Sequence, residues 1–233
     1  ELGASVGHYK NELTALPEGQ RSIDNTVYGA TIRSQIGGAV NRFYGYKTDG
    51  VFATTAEAKK AGLYIVGANG IDHTYFSAGD MHFADLDGDH QITDADRTFI
   101  GDPNPKAYGN VFSSLSYKHF RLDANFNYCI GNDVFNYQRQ QLESGSRFIN
   151  QTTAMLQRWQ SEGDLTSMPR VRFQDPMGNS RFSDRWIEDG SYFRLKTVTL
   201  SYTLPVHTSY LQGLEFWVQA NNVFTLTKYL GSD

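Results

Sequence analysis

The chain has 233 residues, of which 39% are hydrophobic, and aromatic residues alone make up 14%. Few aliphatic and many aromatic side chains favour β-structure with wide polar surfaces. The formal net charge of −4, without a Lys/Arg cluster, argues against nucleic acid as a partner.

Alternation of apolar and polar side chains predicts about five strands. In chain order they are a weaker strand within 3–16, then 110–117, Phe120–Ile130, 191–204 and 214–226. Phe120–Ile130 alternates most cleanly, and its eleven residues match the length that a tilted strand needs to cross a bilayer. Strands of globular proteins usually run about 5–6 residues. Two short helices are predicted within the connections, at 54–63 and 152–161.

The connections between these strands are very unequal in length. Two are short, at 118–119 and 206–213, and two are long, at 17–109 and 131–190. Because the chain reverses at each connection, the short ones lie at one end of the strands and the long ones at the other. This asymmetry is typical of outer-membrane barrels, which have short periplasmic turns and long extracellular loops. The pattern predicts an all-β chain that forms part of a transmembrane antiparallel β-barrel, although strand alternation alone also fits a soluble sandwich.

Two further features concern the membrane and the chain ends. No stretch approaches the roughly 20 apolar residues that a transmembrane helix needs, so any membrane contact is expected through strands. The chain starts at Glu1 without an initiator Met or an apolar leader, so no signal peptide is expected. A processed piece or a fragment of a longer protein is the expectation that follows.

The segment from Asp85 to Asp96 fits most of an EF-hand-type calcium loop. Carboxylates stand at loop positions 1, 3, 5 and 12, and position 7 offers a backbone carbonyl, which gives the candidate ligands Asp85, Asp87, Asp89, Asp96 and Gln91. Four carboxylates this close repel each other without a cation. Position 6 is His90 where the turn usually needs glycine, and aspartate at position 12 reaches less far than glutamate. The loop predicts structural calcium, with an ion-free acidic turn as the alternative.

Several ordered motifs resemble the SusC/RagA type of TonB-linked outer-membrane transporter. The acidic loop leads into D-R-T-F-I-G-D-P-N-P and then Y-G, as in a hallmark of that family. The matching segments are 85–89, 96–105, 108–109, 43–52 (F-Y-G-Y-K-T-D-G-V-F), 191–196 (S-Y-F-R-L-K), 200–205 (L-S-Y-T-L-P) and 221–229 (N-N-V-F-T-L-T-K-Y). They are spread from Phe43 to Tyr229.

The resemblance implies a C-terminal portion, residues 1–233, of a family barrel with 22 strands, without the N-terminal plug and the final barrel strand. It implies integral placement in the bacterial outer membrane, in contact with its lipid. It also implies active import of nutrient oligomers, glycans or peptides, by the parent protein. The implied partners are a SusD-like surface lipoprotein that covers the outer loops and TonB, which acts through the absent plug.

Aromatic side chains in the long connections are candidates for contact with substrate or with the lid lipoprotein. They are Tyr44, Tyr46, Trp159, Trp186 and Phe173. Aromatic faces stack on sugar rings, and neighbouring Asn, Asp and Arg side chains can bind hydroxyl groups. The alternative for each is ordinary packing within a loop.

No catalytic residues are predicted, and the chain is expected not to be an enzyme. The histidines lack zinc spacing and no serine stands in a G-x-S-x-G context. Two soluble alternatives stay open: a secreted carbohydrate-binding β-module with a calcium-stabilised loop, and a glycan-degrading enzyme that carries this loop as an accessory.

Overall fold

The computed structural model describes residues 1–67, 69–206, 208–211 and 213–231. Its strands, numbered in chain order, are β1 Leu2–Gly7, β2 Ser22–Val27, β3 Ala30–Gln35, β4 Arg42–Tyr46, β5 Thr48–Val51, β6 Tyr64–Val66, β7 His73–Tyr75, β8 Met81–Phe83, β9 Arg97–Gly101, β10 Ala107–Tyr117, β11 Phe120–Ile130, β12 Asp133–Phe135, β13 Ile187–Asp189, β14 Tyr192–Leu204 and β15 Leu214–Thr227. The α-helices are α1 Thr55–Ala61 and α2 Tyr137–Glu143, and 3-10 turns occupy Asp94–Asp96, Thr153–Gln157 and Asp184–Trp186.

The chain divides into two compact units. Unit 1 comprises Glu1–Asn11, Asn104–Asp133 and Asp189–Tyr229. Unit 2 comprises Glu12–Pro103, Val134–Glu188 and the described residues from Leu230. The two units differ in character, since the first is one long-stranded sheet and the second is built from short elements around small cores.

Unit 1 is a five-stranded antiparallel sheet with the order β1-β10-β11-β14-β15. The predicted all-β class and the five strands are confirmed, and β11 has the predicted bounds residue for residue. Tyr117 pairs with Phe120 and Leu204 with Leu214, so both short connections lie at the same end of the sheet. The second short connection, 206–213, includes residues 207 and 212, which lie outside the described residues. The sheet is open in this chain, with β1 and β15 at its edges.

The sheet of unit 1 has one apolar and one polar face. Residues that pair directly on neighbouring antiparallel strands point to the same side, so the register assigns each side chain to a face. The apolar face carries Leu2, Ala4, Val6, Val111, Leu115, Tyr117, Phe120, Leu122, Ala124, Phe126, Tyr128, Phe193, Leu195, Val198, Leu200, Tyr202, Leu214, Phe216, Val218, Ala220, Phe224 and Leu226. Leu115 is 61% exposed and Val218 66%, so this face is open to its surroundings. The opposite face carries mainly Ser, Thr, Asn, Gln, Asp and Arg.

Aromatic rings collect towards both ends of the apolar face. Near the short connections, the rings of Phe120 and Tyr202 lie 4.7 Å apart. Towards the other end, Phe126 stacks on Phe193 at 5.2 Å. The rows between them are aliphatic, with Leu122 paired to Leu200, and Ala124 paired to Val198.

Cross-strand pairs of a glycine and an aromatic residue join β1 to β10. Gly3 pairs with Phe112 and Gly7 with Tyr108. A Cβ on Gly3 would lie 2.3 Å from Phe112 Cε1, and one on Gly7 would lie 2.8 Å from Tyr108 Cζ. The rings therefore occupy the space above each glycine, a cross-strand arrangement that fixes register at a sheet edge.

Unit 2 contains most of the two long connections, and they are folded. The sheets are β2-β3-β4-β9, β5-β8 and β6-β7, and β12 pairs with β13. None of these strands was predicted from the sequence. The main core cluster joins buried side chains of several of these segments, namely Phe52, Ala58, Leu63, Phe76, Met81, Phe83, Ile92 and Met177. A second cluster lies behind the four-stranded sheet and contains Ala30, Phe43 and Phe182.

The helices agree only in part with the prediction. Helix α1 lies within the predicted 54–63, because Thr54 and Glu57 form a capping box and Gly62 ends the helix at φ 68°. The predicted helix at 152–161 is wrong. Only the 3-10 turn Thr153–Gln157 forms there, and Thr152 gives no side-chain cap. Helix α2 was not predicted, and Asn136 caps it. Among the described residues, no helix is both long enough and apolar enough to cross a membrane.

Candidate functional site

The acidic loop, residues 85–96, brings three carboxylates together in unit 2. Asp85, Asp87 and Asp89 each place a carboxylate oxygen within 4.8 Å of the others. The Asp85 carboxylate accepts the Gly88 N–H at 2.7 Å and the His90 N–H at 2.9 Å, which curls the chain around it. Gly88 has φ 81° and His90 has φ 64°, so the histidine adopts the left-handed conformation that loop position 6 requires.

Asp96 has a different environment from the three grouped carboxylates. It is fully buried, and its two oxygens accept the Leu86 N–H and the Thr93 N–H, both at 2.8 Å. It therefore closes the loop through the backbone and is not one of the grouped carboxylates. Gln91 lies at the end of the turn, where its N–H donates to Asp89 at 2.7 Å.

The electrostatics of the acidic loop separate Asp85 from Asp87. Burial alone would raise the pKa of Asp85, but the hydrogen bonds from Gly88 and His90 outweigh it, and the net pKa is lowered. The N–H of Asp89 would lower the pKa of Asp87. Desolvation and the negative charges of Asp89, Asp96 and Asp85 outweigh that bond, and the pKa of Asp87 is raised. A cation among these oxygens would relieve this repulsion.

Tyr44 and Tyr46, which were predicted to contact substrate or lid, lie on the same face of β4. Both rings already contact arginine side chains of this chain. The Arg33 guanidinium carbon lies 3.5 Å from the centroid of Tyr44. Tyr46 is only partly exposed, its hydroxyl donates to Asp94 at 3.2 Å, and Arg181 lies 4.9 Å from its centroid. Burial chiefly raises the pKa of Tyr46, and the Asp94 charge adds to this. Both side chains therefore offer edges rather than free ring faces.

The two tryptophans of the same prediction differ in exposure. Trp186 is fully buried, and its indole N–H donates to the Arg181 carbonyl at 3.1 Å, so it presents no surface to a ligand in this structure. Trp159 is partly exposed and donates its N–H to the Ala53 carbonyl at 3.0 Å. Phe173 is 58% exposed and stacks on Phe148, which is 92% exposed.

An arginine-rich surface on the four-stranded sheet of unit 2 was missed by the sequence analysis. We name it the arginine face and define it by Arg33, Arg42, Tyr44, Arg97 and Phe99. The register pairs Arg33 with Arg42 and Tyr44 with Phe99, which puts them on one side of the sheet. The Nε atoms of Arg42 and Arg97 are buried without a hydrogen-bond partner. Each such donor costs roughly 1–3 kcal/mol. The sequence signal was the alternation R-F-Y-G-Y on β4.

A buried ion pair joins the segment before β8 to the segment that contains Arg170. Asp80 is fully buried, and its carboxylate accepts the Arg170 Nε at 2.8 Å and Nη2 at 2.5 Å. The same carboxylate accepts the Ser77 N–H at 2.9 Å and the Asn179 amide at 3.1 Å. Asn179 in turn accepts the Met81 N–H. No sequence motif marks this network.

Curated relatives of the chain are receptors. It is 32% identical over 232 residues to TonB-dependent receptor P3 of Formosa agariphila, covering 96% of this chain and 22% of that protein. It is 26% identical over 193 residues to TonB-dependent receptor P26 of the same organism, covering 83% of this chain and 18% of that protein. The chain thus spans about a fifth of the length of these relatives. No family model matches it.

Solved structures share the fold. A chain of the RagAB peptide transporter superposes with a TM-score of 0.73 at 24% identity, covering 99% of this chain and 24% of that one. The RagAB peptide importer in its closed-closed state gives 0.71 at 25% identity, covering 98% and 24%. Sheet, sequence and relatives define a chain of the TonB-dependent receptor class. Its relatives are TonB-dependent receptors and chains of the RagAB transporter share its fold, so the resemblance to the SusC/RagA type is confirmed. The relatives are receptors and transporters, which agrees with the prediction of no enzyme.

Proposed function

We propose that this chain forms part of the wall and outer vestibule of a TonB-linked outer-membrane importer of nutrient oligomers, oligosaccharides or peptides. The observation that carries the proposal is the sheet of unit 1, with an exposed apolar face bordered by aromatic rings at both ends. Transmembrane barrels carry such an outward apolar band between two aromatic girdles, with polar residues turned to the lumen. The barrel would close with strands of the whole protein.

The lengths of the connections support an orientation of the sheet across the outer membrane. Both short connections lie at one end of the sheet, the periplasmic end in a barrel of this kind. The long connections then lie outside the cell, where a SusD-like surface lipoprotein would cover them. TonB would supply energy through the plug region of the whole protein.

The soluble carbohydrate-binding module explains the sheet less well. A sandwich hides the apolar face of each sheet against a second sheet, whereas Leu115 and Val218 on this face are more than half exposed. Large exposed apolar patches mark contact with a membrane or a partner.

Cell fractionation tests the proposal. We expect the full-length protein in the outer membrane, released only by detergent, because its apolar band needs lipid. An outer-membrane lipoprotein expressed without its lipid anchor is soluble and serves as the control for incomplete lysis. Recovery of the whole protein in the soluble fraction after lysis would exclude the importer and favour the soluble module.

We also propose that the acidic loop holds a structural calcium ion. Asp85, Asp87 and Asp89 would supply carboxylate oxygens and Gln91 its backbone carbonyl, since calcium prefers several hard oxygen ligands. Asp96 would bind only if its carboxylate left the Leu86 and Thr93 N–H groups. The raised pKa of Asp87 supports the proposal, because a cation is the ordinary remedy for such crowding.

Calcium removal is expected to loosen residues 85–96. In hydrogen–deuterium exchange on the detergent-solubilised full-length transporter, a chelator should speed exchange in this segment.

Asp87→Asn should weaken calcium binding by roughly tenfold or more, whereas Asp94→Asn, in the same loop but 84% exposed, should not. Affinity should fall on acidification, first through Asp87, because calcium needs the deprotonated carboxylate. Unchanged exchange and stability without calcium would refute the ion.

A further inference from the structure

The arginine face has a fixed orientation within its sheet. Behind it, Phe43 and Ile32 pair on the opposite side of β4 and β3 and pack into the core with Phe182. The core therefore holds the backbone of these strands, and the arginine side chains project from the other side. The side chains of Arg33 and Arg97 are 22% and 19% exposed, so their outer edges reach the surface.

Aromatic stacking holds the guanidinium groups in place. The Arg42 guanidinium carbon lies 3.7 Å from the centroid of Phe99, and those of Arg33 and Arg97 lie 3.5 and 5.6 Å from that of Tyr44. The donors of Arg33 and Arg97 are largely taken by Asp24, Asp94 and Thr31. The Nη groups of Arg42 have no hydrogen-bond partner within the described part of the chain, and their planar arrangement suits carboxylate and sulfate oxygens. Because the groups are already ordered, binding loses less side-chain entropy.

Positive charge exceeds negative charge on this face. Asp24 binds Arg33 in a bidentate pair at 2.7 and 2.6 Å, and Asp94 lies 3.4 Å from Arg97. Thr31 accepts a second hydrogen bond from Arg97. Arg42 forms no ion pair within the described part of the chain. One guanidinium is thus uncompensated, and the other two each have one carboxylate partner.

We propose that the arginine face binds the acidic groups, carboxylate or sulfate, of an extended acidic oligosaccharide. As a statement about cargo, this rests on the proposed import function. Neutral sugars would need open aromatic faces, and the Tyr44 and Phe99 rings are covered by guanidinium groups. Extended peptides are commonly recognised through backbone hydrogen bonds at a sheet edge. Although β9 is an edge strand, the donors of the arginine face are side chains that project from the face of the sheet. Charge on the ligand is the complementary feature.

Titration of the detergent-solubilised full-length transporter tests the inference. The probes are an oligogalacturonate, a sulfated dextran oligomer, a neutral dextran oligomer of equal length and an oligoglutamate peptide. We expect the acidic sugars to bind at least tenfold more tightly than the neutral one, with affinity falling as salt rises. Carboxylate and sulfate sources are told apart by the first two probes. Equal binding of neutral and acidic sugars, or tighter binding of the peptide, would overturn the proposal.

Variants assign the binding to this surface. Arg42→Gln should weaken binding of the acidic sugar about tenfold, and Arg42→Lys should restore it only in part, because lysine keeps the charge but loses the planar fork. Asp24→Asn should strengthen binding by releasing Arg33, a gain that misfolding cannot produce. Arg172→Gln, an exposed arginine outside the face, is the matched control. Equal effects of the Arg42 and Arg172 variants, or no gain from Asp24→Asn, would refute the assignment. If the protein lies in the outer membrane but does not bind acidic sugars, only this inference is wrong. If the protein is soluble and binds acidic sugars, only the proposed import function is wrong.

Discussion

Replacing Asp80 by alanine is expected to destabilise unit 2 by about 3–5 kcal/mol, the cost of removing one partner of a buried ion pair. Arg170, whose side chain is 18% exposed, would be left without its carboxylate. The Ser77 N–H and the Asn179 amide would lose the same acceptor. Hydrogen–deuterium exchange on the full-length transporter is the measurement, and protection should fall at 76–83 and 168–179 while β10, β11 and β14 keep theirs.

The Asp80 experiment has a close control. Asp72→Ala removes an exposed aspartate of unit 2 whose carboxylate accepts a hydrogen bond from the Asn69 side-chain amide at 2.6 Å. Its effect should stay within about 0.5 kcal/mol, as for most surface substitutions. Asp80→Asn keeps the shape and one acceptor, so its effect should fall between the two. Equal protection in the Asp80→Ala and Asp72→Ala proteins would show that the ion pair contributes little.

The long strands could be predicted because one physical contrast repeats along them. Each strand of unit 1 has one side on the apolar face of the sheet and the other on the polar face, so its side chains alternate over its whole length. For Phe120–Ile130 the signal spans eleven residues, and both bounds were correct. Strands of three residues, such as Tyr64–Val66 and His73–Tyr75, carry too little alternation to stand out.

The site was predictable where the residues are close in sequence. The spacing of Asp85, Asp87 and Asp89 was enough to group them, but it could not show that Asp96 turns to backbone N–H groups. The arginine face depends on three strands whose pairing is not written in any local pattern. Likewise, nothing near Trp186 in the sequence indicates that this ring is buried while Phe148 is exposed.

Substituting arginine on the apolar face should separate a membrane wall from a soluble sheet. Val198 lies in the middle row of this face, paired with Ala124 and Ala220, midway between the two aromatic groups. Val198→Arg is expected to cost about 2–4 kcal/mol, because its charge would sit near the bilayer midplane. The measurement is denaturant unfolding of the full-length protein in lipid vesicles, with the amount folded in the outer membrane as a second readout.

The neighbouring residue supplies the matched control for the wall assignment. Thr199 points to the polar face, where it pairs with Asp123 and its hydroxyl lies 3.3 Å from Gln219 Oε1. Thr199→Arg places the same charge one residue away beside a carboxylate, so its cost should stay below about 1 kcal/mol. The difference between the two variants should vanish in detergent-free aqueous buffer if the protein is soluble there. Equal costs in vesicles would mean that lipid does not contact the face of Val198, and the assignment of this sheet to a membrane wall would fail.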